Sequence, residues 1–181
     1  MATLEITDQS PFSAIGAAVA KAVEAAVPNL RALSESRAEQ PRAPGKWSPK
    51  QVIGHLIDSA ANNHQRFVRA NSQDDLVFPG YAQDDWVRLQ GYTTAPWAEI
   101  VTLWQAYNRH LVRVMDAVPA NVRYRKHTRH NMDQLGWQLY AADEPAALND
   151  LMRDYVAHLE HHLSQVRDRV TGADAAHAVS A

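Results

Sequence analysis

The chain contains no cysteine, which excludes disulfide bonds and thiolate metal sites. Any transition metal ion would therefore have to be held by imidazole nitrogens and carboxylate oxygens. A large excess of one charge is also lacking, because 18 lysines and arginines stand against 20 aspartates and glutamates, and the formal net charge is −2. This balance argues against a dedicated nucleic-acid-binding protein.

Long hydrophobic segments are absent as well. No apolar run approaches the roughly 20 residues that a membrane-spanning helix needs. The start, Met1 to Glu5, lacks the basic residues and the apolar stretch of a signal peptide. We therefore expect a cytoplasmic protein with no membrane partner. A chain of 181 residues is close to one ordinary domain and is long enough to fold without a metal ion.

Four stretches of the chain have apolar residues spaced three or four apart, the pattern of helices that pack one face against a core. They cover about residues 11–33, 49–70, 97–118 and 146–170. Four helices joined by one or two long crossover loops form a four-helix bundle. We therefore predict an all-α four-helix bundle with long crossover loops over residues 11–171, between a loose lead-in at 1–10 and a frayed tail at 172–181.

The ends of these helices are marked with different clarity. The first helix is predicted to begin at Pro11, and Pro28 is predicted to kink it or end it early. In the second helix, Ser48 and Gln51 have the spacing of a capping box. In the third helix, Leu103 is placed on the inward-facing stripe.

Two long connections, at residues 72–95 and 119–144, are typical of functional lids or of unrecognised structure. The first is predicted to contain a short helix around residues 84–89, and the second an extended stretch at residues 122–125. A basic run in the second connection either is a solvated loop or attracts the carboxylates of a cofactor. It consists of Arg123, Arg125, Lys126 and Arg129.

Histidine is frequent, with nine in the chain. His158 and His162 lie four apart on the predicted fourth helix, so their rings point the same way and can share a metal ion. His55, among apolar residues of the second helix, is the best donor of a third nitrogen. Each of these histidines has an ordinary alternative reading, as a core or surface residue. Three histidines with an open fourth position are typical of a catalytic metal site.

Further candidates surround His55 on the second helix. Asp58, one turn later, would orient the His55 imidazole or accept a proton, or it is a plain surface carboxylate. Asn62 shares that face and is a candidate for substrate contact, whereas His64 is predicted to face solvent. The remaining histidines without ligand spacing are His110, His127, His130 and His177. The five tryptophans are interpreted as packing residues, some of which could wall the site.

Two segments resemble the DinB/YfiT-like family of metal-dependent four-helix bundle proteins. They are PGKWSPKQVIGHLIDS at residues 44–59 and YVAHLEHHLSQV at residues 155–166, and the run at 79–86 looks like the family's middle loop. The resemblance extends over about residues 11–170. It is fairly specific, because the Gly-Lys-Trp-Ser and His-Leu-x-Asp-Ser motifs precede the paired histidines in the right order.

The resemblance implies a divalent metal ion held by one histidine of the second helix and two near the end of the chain, here His55, His158 and His162. Zinc, nickel and iron all suit three nitrogens. The resemblance also implies a small-molecule substrate, since some relatives are thiol-dependent transferases or isomerases that use a low-molecular-weight thiol and others are hydrolases. Two alternatives stay open, namely a non-catalytic metal-binding or stress-response module and a metal-free bundle that forms homodimers.

Overall fold

The computed structural model describes residues 13–170 of the chain and is mostly helical. In chain order the helices are α1 (Ser13–Ala32), α2 (Glu35–Glu39), α3 (Pro49–Arg69), α4 (Gln83–Leu89), α5 (Trp97–Ala117), α6 (Ala120–Arg123), α7 (Met132–Leu135) and α8 (Leu148–Val170). Two short strands are β1 (Lys126–His127) and β2 (Ala146–Ala147). The predicted lead-in, the predicted start at Pro11, the predicted tail and His177 lie outside the described residues.

The four long helices α1, α3, α5 and α8 form the predicted bundle. α1 and α3 each pack against both α5 and α8. The core between them includes completely buried side chains from all four helices, for example Val19, Leu56, Trp104 and Leu159. Within residues 13–170, no helix is both long and apolar enough to cross a membrane. The all-α prediction is therefore confirmed for the described part of the chain, to which a small β1–β2 ladder is added.

The start of α3 confirms the predicted capping box. The Ser48 hydroxyl accepts from the Gln51 backbone N–H at 3.4 Å, and the Gln51 side-chain oxygen accepts from the Ser48 backbone N–H at 3.0 Å. These bonds satisfy backbone donors that have no partner within the helix. They fix where the helix begins, and so fix which face its later residues present.

An early end of α1 at Pro28 is wrong, because the helix continues to Ala32. A proline inside a helix costs about 3 kcal/mol. Burying one Val or Leu side chain stabilises the folded state by roughly 1.5–3 kcal/mol. Val27 and Leu30, on either side of the proline, are both buried against the core. Packing therefore outweighs the local preference.

The prediction that Leu103 lies on the inward-facing stripe of the third helix is also wrong. Its side chain is 52% exposed, whereas the neighbouring Trp104 is completely buried. Successive residues of a helix point about 100° apart, so a buried stripe centred on Trp104 and Leu111 leaves Leu103 at its margin.

The long connections hold more structure than the sequence predicted. The short helix expected around 84–89 is confirmed as α4. The extended stretch expected at 122–125 is wrong, because α6 occupies residues 120–123 and extended backbone begins only at Lys126, where β1 pairs antiparallel with β2. Arg123 is buried and donates to Asn149 at the start of α8, which favours the helical turn over a strand.

The basic run of this connection is engaged in structural contacts. Lys126 forms an ion pair with Asp150 at 2.9 Å, and Arg129 forms one with Asp75 at 3.3 Å. Arg123 and Lys126 tie this connection to α8, and Arg129 ties it to the connection between α3 and α4. Arg125, Lys126 and Arg129 nevertheless remain exposed to solvent, so both interpretations of the run, a solvated loop and an attraction for cofactor carboxylates, stay predictions.

Candidate metal centre

Three histidines from two helices converge in the bundle. His55 comes from α3, and His158 and His162 come from α8; one ring nitrogen of each lies within 4.8 Å of the others. The Nε2 atoms of His55 and His158 are 3.1 Å apart. The structure thus brings together the three residues that the sequence selected.

Local sequence explains this convergence. Ile53 and Leu56 flank His55 and are completely buried, so they hold the His55 face of α3 against the core. On α8 the buried Leu159 holds the face that carries His158 and His162 against the core. Because these two histidines are four residues apart, both rings lie on one side of the helix. Because α3 packs against α8, the two inward faces meet at the imidazoles.

The His55 and His158 pair has the spacing of two ligands of one divalent ion. Two nitrogens that each lie 2.0–2.1 Å from one ion are roughly 3–3.4 Å apart. The 3.1 Å separation of the His55 and His158 Nε2 atoms falls in this range. The His162 Nδ1 atom lies 3.2 Å from the Gln165 side-chain oxygen, which is an acceptor. A proton on Nδ1 therefore suits this contact and leaves Nε2 free to bind a metal ion.

Electrostatics keep the three imidazoles neutral, which is the form that binds metal ions. Burial, with a smaller contribution from His162, lowers the pKa of His55 to about 4. Burial, together with the neighbouring histidines, lowers the pKa of His158 to about 3. Burial also lowers the pKa of His162, although its hydrogen bond to Gln165 opposes this effect.

Asp58 is buried one turn after His55, but its contacts differ from those expected. Its Oδ1 atom accepts from the Tyr92 hydroxyl at 2.7 Å and from the Gln90 side-chain amide. No hydrogen bond joins Asp58 to His55, and both the Asp58 Oδ2 atom and the His55 Nδ1 atom are buried without a partner. Burial raises the pKa of Asp58, while the Tyr92 and Gln90 hydrogen bonds lower it.

Gly54 makes the contact between Tyr92 and Asp58 sterically feasible. The Tyr92 ring lies directly against the α3 backbone, and a Cβ atom at Gly54 would overlap the ring. We expect the Gly54→Ala variant to lose about 1–3 kcal/mol of unfolding free energy in urea denaturation, because the ring must move.

Gly80→Ala is the matched control for this prediction. A Cβ at Gly80 would meet only Leu135, at an ordinary contact distance of 3.6 Å. We expect this variant to stay within about 0.5 kcal/mol of wild type. Equal losses in the two variants would contradict the steric explanation.

Two further sequence interpretations need revision. The Asn62 amide donates to the backbone carbonyl of Asp58 within its own helix, at 2.9 Å. Its neighbour Asn63, which the sequence did not single out, borders the cavity next to the histidines. His64 is half-buried against Tyr107 and His110 of α5, so the prediction that it faces solvent is wrong. Only the packing of α5 against α3 reveals this.

Two cavities meet at the histidine cluster. A chamber of about 270 Å³ is bordered by His55 and His158, and an open groove of about 930 Å³ reaches His162. Trp137 lies over the His158 and His162 rings, with centroid separations of 5.6 and 5.9 Å. Trp47 lies 5.0 Å from the His55 ring. These two tryptophans wall the site, while Trp97 and Trp104 are packing residues, as predicted.

Comparisons with known proteins agree with this architecture. The model of the DinB superfamily matches residues 19–166. A relative from Oceanobacillus iheyensis is 22% identical over 143 residues, which cover 76% of this chain and 73% of the relative. YfiT from Bacillus subtilis is 22% identical over 142 residues, which cover 77% of this chain and 72% of YfiT. Both are provisionally named metal-dependent hydrolases.

The solved structure of Bacillus subtilis YfiT shares the fold. It is described as an unusual four-helix bundle topology, with the same provisional assignment as a metal-dependent hydrolase. The alignment has a TM-score of 0.75, covers 96% of this chain and 93% of that chain, and has 17% sequence identity. With the family model matching most of its length, this chain belongs to the DinB superfamily.

Proposed function

We propose that this chain binds one divalent metal ion through His55, His158 and His162 and uses it to hydrolyse a small-molecule substrate. The observation that carries the proposal is the convergence of three neutral imidazoles from two helices beside a chamber and an open groove. Three nitrogen ligands leave a coordination position for water or substrate. The provisional names of the relatives support hydrolysis as the reaction.

The side chains around the histidines have distinct roles in this proposal. A divalent ion held by the three nitrogens, whether zinc, nickel or iron, would supply a Lewis acid for the substrate or for water. Gln165 orients His162 through Nδ1, and Ser59, whose hydroxyl lies 3.4 Å from the His158 Nδ1 atom, orients His158. Trp47 and Trp137 shield the site from bulk water.

Asp58 is proposed to position His55 or to accept a proton. Two observations support this role. The Asp58 Oδ2 atom and the His55 Nδ1 atom are both buried, and each lacks a hydrogen-bond partner. They lie one helical turn apart, so a modest side-chain rotation would join them.

A thiol-dependent transferase is the second candidate, supported by the groove. Arg42 and Lys46 border the groove, as do His162 and Gln165. Both cations are exposed and would attract the carboxylates of a low-molecular-weight thiol. Asp84 borders the same groove and would oppose this attraction locally.

Metal content tests the histidine site directly. We expect untagged wild-type protein to carry about one divalent ion per chain by inductively coupled plasma mass spectrometry, and His158→Ala to lose nearly all of it, because one of three ligands is gone. His161→Ala is the matched control on the same helix, since His161 is exposed and outside the cluster. Equally low metal in wild type and His158→Ala would contradict the proposal.

Turnover separates the two reactions. Metal-loaded protein would be assayed on ester and amide panels without thiol, and on electrophile panels with a low-molecular-weight thiol, each with and without chelator. Chelator-sensitive hydrolysis without thiol supports the hydrolase. Turnover that requires thiol supports the transferase. No turnover on either panel contradicts an enzyme and favours a non-catalytic metal-binding module.

A further inference from the structure

Arg66 is a buried cation at the chamber beside the histidines. Arg66 is only 5% exposed, and it borders the same chamber as His55 and His158. Its Nη1 atom donates to the Asn63 side-chain oxygen at 3.4 Å and its Nη2 atom to the Pro79 carbonyl at 3.3 Å. The Nε–H has no partner among the described residues.

The nearby Asp154 carboxylate interacts electrostatically with the Arg66 guanidinium but forms no hydrogen bond with it. Asp154 borders the chamber too, but both its oxygens accept backbone N–H groups, from Trp137 at 2.8 Å and from Gln138 at 2.7 Å. Among residues 13–170, no carboxylate lies within ion-pairing distance of Arg66. A buried donor without a partner costs roughly 1–3 kcal/mol, more when it is charged, unless a ligand satisfies it.

A row of polar side chains on one face of α3 connects Arg66 to the histidines. The Ser59 hydroxyl lies 3.4 Å from His158 Nδ1 and accepts from the Asn63 amide at 3.4 Å. Asn63 in turn accepts from Arg66. Along this row the chamber therefore has imidazole nitrogens at one end and a guanidinium at the other, with the neutral Ser59 and Asn63 side chains between them, and the Asp154 carboxylate also borders the chamber.

We propose that the chamber is a subsite for a substrate carboxylate, which Arg66 binds while the reacting bond of the same molecule lies at the three histidines. A guanidinium with a free N–H matches a carboxylate in charge and geometry. A volume of about 270 Å³ suits a short carboxylic acid rather than a polymer. The placement of the reacting bond rests on the proposed metal site, whereas carboxylate binding at Arg66 does not.

Binding of pentanoate and of its neutral isostere pentanamide tests this subsite. With chelator present, we expect wild-type protein to bind pentanoate at least about tenfold more tightly than pentanamide. The reason is that a charge-assisted hydrogen bond is about twice as strong as a neutral one. Pentanoate should also shift the Arg66 Nε–H resonance in ¹H–¹⁵N spectra, assigned by its loss in Arg66→Lys. Equal affinities, or shifts confined to residues away from the chamber, would overturn the proposal.

Variants and metal loading complete the test. Arg66→Lys should lose most of the preference for pentanoate, whereas Arg69→Lys, an exposed arginine on the same helix, should keep it. A folding defect in Arg66→Lys would leave the wild-type affinities for pentanoate and pentanamide as the decisive data, and equal affinities would still overturn the proposal. Pentanoate binding at Arg66 in a protein that takes up no metal would refute the metal site alone. Metal uptake without pentanoate binding would refute the subsite alone.

Discussion

The unfolding free energy of the metal-free protein is expected to fall by on the order of 5 kcal/mol between about pH 7 and pH 4.5. The folded state holds His55 and His158 neutral, with pKa values lowered to about 4 and about 3, whereas the unfolded chain has the ordinary histidine value of 6.5. The unfolded chain therefore binds more protons in this window. The stabilisation is fully present above pH 6.5 and is lost as the pH falls toward the folded-state values.

Urea denaturation at a series of pH values, in the presence of a chelator, measures this effect. The His158→Gln variant should lose about 2–3 kcal/mol less than wild type over the same interval, because one buried imidazole is gone. The exposed His161 offers the matched control. Because burial outweighs the effect of His161 on the His158 pKa, His161→Gln should stay close to wild type. Burial raises the pKa values of Asp58 and Asp154, so these two groups oppose the loss of stability as the pH falls. Their contribution is the same in all three proteins and cancels when the variants are compared with wild type. Identical slopes for wild type and His158→Gln would contradict the explanation.

Adding a divalent ion should raise the stability of the protein by about 4 kcal/mol when its free concentration is roughly 1,000 times its dissociation constant. For a chain of this size, that corresponds to a rise of roughly 8–16 °C in the melting temperature. The physical reason is that the folded state presents three converging imidazoles that the unfolded chain does not. Thermal melts with zinc, nickel and iron(II), the last under anaerobic conditions, provide the measurement.

Variants distinguish this effect from non-specific ion binding. His55→Ala should abolish the rise, because the α3 ligand is lost, while His110→Ala, outside the cluster, should retain it. Chelation should leave the helical circular dichroism at room temperature intact, since the core of α1, α3, α5 and α8 is buried without any ion. Loss of the helical signal on chelation would show that the metal ion is required for folding.

Much of the fold could be predicted because its determinants are local. A helical repeat places residues three and four apart on one face, so apolar spacing identified α3, α5 and α8 and placed His158 beside His162. The Ser48 capping box depends on residues three apart and was equally predictable. His55 could be selected because the apolar residues around it drive its helix into the core.

The errors arise where two distant segments meet. The sequence pattern placed Leu103 inside and His64 outside, but the burial of each depends on how α3 and α5 pack together. At Pro28, a local rule was overridden by burial against other helices. Local periodicity shows which residues share a face, and it carries little information about how wide the buried stripe is.

The sequence by itself determined the four long helices and the pairing of His158 with His162, because both depend on spacing along single helices. It selected His55 through the apolar residues around it and the family resemblance, in a chain without cysteine. Only the tertiary structure decided the surroundings of those histidines. Tyr92 and Gln90 reach Asp58 from a long connection, and Arg66 meets the same chamber as His158. These contacts depend on the paths of loops and on side chains from different elements, which no periodicity encodes.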